Sequence, residues 1–223
     1  MGNLLLATKK FWQKLITHYK SLYFKSKNIF KDGSDVKHLF GVCGEGLILG
    51  KGVTIVGEIS RIQIGRNVSI GDGVRLVCTD AKAEIIIGDG TIIQPGAILD
   101  TGPGGRIKLG NMNSVNPYCV LYGHGGLVTG EYVRIAAHTV IIPANHIFDD
   151  TSIPIARQGL RKKGININKD VWIGSGCQIL DDVNIGSGSV IAAGAVVNRN
   201  IPPFSVCGGV PAKVLKKRVA DGS

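Results

Sequence analysis

Aromatic residues make up only 6% of this 223-residue chain, and charged residues only 19%. That scarcity argues against a helical bundle, which needs large apolar knobs and well-charged outer faces. The five cysteines (Cys43, Cys78, Cys119, Cys177, Cys207) are odd in number, widely spaced and free of any CxxC pair. A disulfide framework and a zinc ribbon are both disfavoured, and a reducing cytosol fits best. No stretch approaches the roughly 20 apolar residues needed to span a bilayer, so the chain reads as soluble or peripheral. The start has early lysines but no uninterrupted apolar run and no small-residue cleavage site, so no secretory signal is expected. It also lacks the Ser or Thr of a myristoylation signal. What is abundant is glycine, at 32 residues about twice the usual share, which puts the weight on backbone shape. The length suits one domain plus an appendage.

The formal net charge of +10 is unevenly spread. Residues 41–142 are balanced. The excess lies in an N-terminal segment (Lys9, Lys10, Lys14, Lys20, Lys25, Lys27, Lys31, Lys37), a loop (Arg157, Arg161, Lys162, Lys163) and the tail (Lys213, Lys216, Lys217, Arg218). Such clusters attract anions, including the phosphates of a cofactor. Nucleic acid is not the expected partner, because the basic clusters lack interleaved stacking aromatics in the body of the chain.

The deciding pattern is a period of six. Aliphatic residues recur at Ile173, Ile179, Ile185, Ile191 and Val197, with the small or short residues Cys177, Val183, Ser189 and Ala195 four positions after the first four of them. Shorter runs upstream keep the same logic: Ile64, Ile70, Leu76; Ile87, Ile93, Leu99; Leu109, Val115, Leu121; Ile135, Ile141. Neither a period of 3.6 nor one of 2 generates it. A short strand plus a tight turn does, and three such units close one coil of a parallel β-helix whose aliphatic side chains stack inward. A sandwich has no reason to hold a six-residue phase. The last coil needs a cap, and residues 210–218, with Pro211 near the start, are expected to form a short C-terminal helix. Residues 1–40 lie outside the repeat. Leu4, Leu5, Phe11, Trp12, Leu15, Ile16, Tyr19, Leu22 and Tyr23 approximate one helical stripe opposed by lysines, giving a basic amphipathic segment. It either caps the first coil or lies on an anionic membrane through residues 1–30.

Between Ile142 and Val171 the hexads stop, then resume, which marks an inserted loop over 143–170. Solenoids put insertions on one face, often the binding face. The loop opens with Asn145-His146-Ile147-Phe148-Asp149-Asp150. An imidazole can take a proton from a hydroxyl near neutral pH, which makes His146 the candidate general base, with Asp149 as a carboxylate that could fix its tautomer. His138 and His124 are the other histidines of the coils, while His18 and His38 belong to the appendage. A zinc site built from three histidines is neither forbidden nor suggested by their spacing, and no metal is expected. Cys119 and Cys177 read as buried structural thiols.

With hexads, loop and capped end assembled, the chain resembles the left-handed β-helix hexapeptide acyltransferases, most closely the bacterial sugar and polysaccharide O-acetyltransferases of the maltose and galactoside acetyltransferase group. Four stretches carry the likeness: Ser114 to Val120, Gly130 to His146, Asp170 to Ser175, and Ile191 to Val214 with its Gly209-Val210-Pro211-Ala212-Lys213 ending. The likeness covers residues 41–218. It implies an all-β, left-handed parallel β-helix, probed by no periodicity argument since handedness comes from the family alone. It further implies homotrimers and transfer of acetyl from acetyl-CoA to a sugar hydroxyl. The family's catalytic histidine falls on His146 and its acceptor-side asparagine on Asn116. Asn145, Asp149, His138 and His124 are expected on the acceptor side, and Ser175, Ala193, Arg199, Lys213 and Lys216 against CoA. The N-terminal acceptor region of maltose-type enzymes is not recognisable in residues 1–40. The basic start instead favours a carbohydrate acceptor near the membrane, such as a lipid-linked surface glycan precursor, reached from the cytoplasm at the inner face of the membrane. Competing readings are acetylation of an amino sugar or an antibiotic hydroxyl, and a metal-dependent β-helix hydratase of the carbonic-anhydrase type.

Overall fold

A computed structural model describes residues 28–29 and 37–218. Among these, three parallel sheets run the length of the molecule with eight, seven and nine strands, here sheets I, II and III. The chain visits sheet II, then III, then I, and repeats, so the seven strands of sheet II define seven coils. Coil 4, for example, is built from Arg106–Leu109, Ser114–Val115 and Val120–Tyr122. Among the described residues helix is confined to short 3-10 turns.

Stacking follows the sequence period directly. On sheet I, Ile55, Leu76, Leu99, Leu121, Ile141, Ile179 and Val197 sit in register, coil over coil. On sheet III, Ile70, Ile93, Val115, Ile135, Ile173 and Ile191 do the same. All of these are buried. Each coil therefore covers its apolar face only with its neighbours, the requirement of a solenoid. The short residues of the hexad have a second use at the corner between sheets III and I. The Cys119 thiol, the Thr139 hydroxyl and the Cys177 thiol each donate to a carbonyl of the following coil, on Ala136, Gly174 and Ala192. Burial raises the Cys119 and Cys177 thiols above their ordinary range and pushes Cys78 up to about 12, so these cysteines are inert packing groups.

Two boundaries differ from expectation. The insertion ends at residue 164, not 170, because Ile165 and Ile167 already alternate inward on sheet II, paired with Leu127 and Thr129. The tail is a strand, not a helix. Lys213–Lys217 runs antiparallel along Ser205–Gly208 at the open edge of sheet III. A nine-residue segment containing a proline is too short to hold a helix by itself, whereas an unpaired sheet edge offers a full set of backbone partners. At the other end, Asn28–Ile29 pairs antiparallel with Thr54–Ile55 on the edge of sheet I. Residues 37–39 form a 3-10 turn. The expected amphipathic helix lies outside the described residues.

Candidate active site

Two places in this scaffold collect the residues singled out above: the corner between sheets III and I, and the inserted loop at the corner between sheets I and II. At the first corner, successive coils stack residue on residue. His138 N–H donates to the Pro117 carbonyl, Gly176 to Ala137 and Gly194 to Ser175. Asn116, Ser175 and Ala193 therefore lie along one edge parallel to the helix axis. In coils 6 and 7 the edge is lined only by Gly174-Ser175-Gly176 and Ala192-Ala193-Gly194, and a Cβ added at Gly176 or Gly194 would meet nothing within 4 Å. This stretch of the corner is exposed and unobstructed. The Gly174 and Gly176 amides are both committed, to Ile191 and Ala137 carbonyls, while the Ser175 amide between them makes no hydrogen bond among the described residues.

Lys213 and Lys216 stand on the tail strand opposite Gly208 and Val206, downstream of coil 7. The strand is held at its far end. Lys217 Nζ donates to the Pro203 carbonyl at 3.2 Å, and Arg218 Nη1 donates to Asp170 Oδ2 at 2.9 Å and to the Gly188 carbonyl at 3.1 Å. Arg199 does not join them. It is exposed at the corner between sheets I and II, beyond Val196–Val197 and so at the opposite end of that strand from Ala193.

The inserted loop leaves coil 5 after Ile142 and returns at Ile165. Its stem is a two-stranded ribbon, Asn145–His146 against Leu160–Arg161. Gln158 organises the far end, donating to the Asp150 and Ile153 carbonyls and accepting from the Asp150 N–H. The return is anchored by buried Asp181, which accepts the backbone N–H groups of Lys163 and Gly164. Neither Gln158 nor Asp181 carries a motif, so sequence reading missed both. His146 is exposed at the ribbon, and its ring has no hydrogen-bond partner among the described residues. Asp149 does not fix its tautomer: the carboxylate lies past the end of the strand and faces Arg161 at 3.6 Å.

His124 lies under the loop stem. Its turn packs so closely there that a Cβ on Gly125 would collide with the Pro143 carbonyl and the Gly164 amide. The His124 ring covers Gly102 and sits 5.5 Å from the Tyr122 ring at a 55° tilt. Burial lowers its pKa, with Asp100 opposing and Lys162 adding to the shift, so the imidazole is neutral at physiological pH. His138 occupies the other corner, stacked on Tyr118. The coil histidines thus occupy separate places, and among the described residues no three His, Cys, Asp or Glu side chains converge as a metal site.

Comparison with known proteins bears on the coils. The bacterial transferase hexapeptide model (six repeats) matches residues 164–199. A probable acetyltransferase of Mycobacterium tuberculosis is 33% identical over 174 residues, covering 77% of this chain and 50% of the relative. A Saccharomyces cerevisiae relative, named as an acetyltransferase with no acceptor specified, is 38% identical over 130 residues, covering 58% and 64%. The chain thus spans only half to two thirds of these relatives' lengths. Among solved structures, AntD, an N-acyltransferase from Bacillus cereus in complex with dTDP-4-amino-4,6-dideoxyglucose and coenzyme A, shares the fold. Its TM-score is 0.56 at 23% identity, covering 85% of this chain and 92% of that one. Residues 164–199 thus carry the bacterial transferase hexapeptide repeat, the curated relatives that align with this chain are named acetyltransferases, and the coils share their fold with AntD.

Proposed function

We propose that the protein transfers the acetyl group of acetyl-CoA to a hydroxyl of a carbohydrate acceptor. The observation that carries this is the open corner at Gly176 and Gly194, flanked by Ser175 and Ala193, with the cations Lys213 and Lys216 on the strand beyond it. An unobstructed corner running along the helix axis, with positive charge at one end, suits a pantetheine chain with its phosphates downstream. Its reactive end then points upstream, toward coil 5, the coil that bears the loop of His146.

In this reading His146 takes the proton of the acceptor hydroxyl as its oxygen attacks the thioester carbonyl. The free amide of Ser175 receives the oxyanion, whose collapse expels the CoA thiolate, and the imidazolium returns the proton to that sulfur. Within one protomer the open corner and the loop stand at opposite ends of Val140–Ile142. From residue 138 to residue 143 an extended chain covers about 16 Å. A complete site therefore needs the loop of one copy over the open corner of another, which favours a homotrimer with shared sites. Asn116, at the upstream edge of that corner, and Tyr122 with His124, beneath the loop stem, would meet the acceptor. An amino sugar is the second reading, favoured by the fold shared with AntD, whose bound acceptor is an amino sugar nucleotide. The basic stretch of residues 1–30 extends the proposal to an acceptor held at an anionic membrane surface and reached from the cytoplasm.

Thiol release from acetyl-CoA with a panel of sugars and amino sugars tests the proposal. His146→Ala is expected to lose about 10²–10⁴-fold in kcat with CoA binding retained. Equal turnover by wild type and variant would remove His146 from the chemistry.

A further inference from the structure

The corner between sheets III and I changes character along the helix axis. In coils 6 and 7 its left-handed positions are Gly176 and Gly194, each with open space where a Cβ would stand. In coils 4 and 5 the equivalent positions are Tyr118 and His138, at φ of 59° and 61°. Their rings stack with centroids 5.5 Å apart and planes 12° from parallel. The Tyr118 ring continues the stack upstream, lying where a Cβ on Gly96 of coil 3 would be. Left-handed backbone is costly for such side chains, and Gly or Asn would occupy these positions with less strain. Nor does the core gain from them, since Tyr118 is 61% exposed. Tyr132 and Phe204 hold the same conformation at another corner, so what distinguishes Tyr118 and His138 is their place in line with Gly176 and Gly194, at the upstream limit of the open positions.

We propose that the Tyr118–His138 stack is the upstream end-stop of this open corner and restricts the donor to short acyl groups. The inference rests on the reading of the corner as the acyl-CoA site. The register supports it. From the tail strand, which lies one strand beyond Ser205–Gly208, to the edge of coil 5 is four strand spacings, or about 19 Å at about 4.8 Å each. That is the order of length of an extended pantetheine arm, so a thioester anchored downstream reaches the level of Ala137 and His138. An acetyl methyl group fits in front of the rings. A longer chain continuing along the corner runs into them, since the open positions end at Gly176.

Calorimetric titration with acetyl-CoA, butyryl-CoA and hexanoyl-CoA tests this on wild type and on the Tyr118→Gly/His138→Gly double variant. Glycine suits both backbone positions, and the Tyr118→Asn/His138→Asn pair serves as a second variant should the first fail to show the wild-type far-UV spectrum. Wild type is expected to bind hexanoyl-CoA at least about tenfold more weakly than acetyl-CoA, the scale of forcing methylenes into a filled space, and either double variant to erase that ratio. A wild-type protein that binds all three thioesters equally overturns the end-stop while the assignment of the corner stands. So does an unchanged ratio in the variants. A wild-type protein that binds none of them overturns the assignment of the corner itself, and the end-stop with it.

Discussion

Asp181, in the coil after the insertion, holds the N–H of Gly164 at 2.8 Å and that of Lys163 at 3.0 Å, so the return of the inserted loop hangs on one buried carboxylate. Removing the acceptor leaves both donors without a partner in a half-closed turn. Asp181→Ala is expected to cost about 1–3 kcal/mol, the price range of hydrogen bonds to a charged group. The coils do not depend on this turn for their stacking. Urea denaturation should therefore show a lowered midpoint with an unchanged m-value, and acetyl transfer should fall more steeply than stability because the ribbon bearing His146 is misplaced. A variant with full activity would show that the anchor does not position the loop.

The neutral state of His124 gives stability a pH dependence of known sign. Its folded-state pKa is lowered, mainly by burial, relative to an unfolded value of about 6.5. The unfolded chain then binds the extra proton first as pH falls. Stability is fully present above about pH 6.5 and declines as pH drops from there through the folded-state pKa. His124→Gln should flatten the Tm profile between about pH 5 and pH 7 relative to wild type, since glutamine does not titrate in that window. Parallel profiles in the two proteins would mean another group is responsible.

How much of this was legible in the sequence depends on whether a residue's role is set by its own coil or by a distant one. Ile173, Ile179, Ile185, Ile191 and Val197 announced the solenoid because each stacks on an equivalent one coil away, so the fold repeats its own signal. Ser175 and Ala193 could be matched as equivalent positions of neighbouring coils for the same reason. Asp181 was not, because its partners are backbone groups of an insertion that has no period. The tail defeated sequence reading differently. Lys213–Lys217 carries no alternation, all of it being exposed, and only the vacant edge beside Ser205–Gly208 makes it a strand. Tyr118 and His138 passed unnoticed as a pair because they are 20 residues apart and meet only when one coil lies on the next.

The tail strand makes Arg218 a positioning residue for the cations upstream of it. Its ion pair with Asp170 is exposed, and such pairs contribute at most about 1 kcal/mol to stability. Yet the same guanidinium also binds the Gly188 carbonyl, which sets where the strand ends and hence where Lys216 and Lys213 project. Arg218→Ala should leave Tm within a few degrees of wild type and weaken CoA binding several-fold. Lys213→Ala/Lys216→Ala should weaken it further and remove most of its salt dependence, since those charges are the ones screened. Titrations at low and high salt read both effects. Identical salt slopes for wild type and the double lysine variant would place the phosphates elsewhere.

The open corner itself can be closed without touching any charge. Ala193 is exposed and follows Ile191 and Ala192 at the corner, so a larger side chain there projects outward and not into the core. Ala193→Trp fills the space in front of Gly194, where nothing now stands within 4 Å of a Cβ. A pantetheine arm following that corner must then leave it. The expected outcome is a loss of at least about tenfold in CoA affinity, or about 1.4 kcal/mol, with thermal stability near that of wild type because no buried packing changes. Ile98→Trp, placed on the outer face of sheet I in coil 3 and away from coils 6 and 7, controls for the bulk of the ring. Loss of binding in Ala193→Trp alone locates the donor at this corner, and equal binding in both variants excludes it.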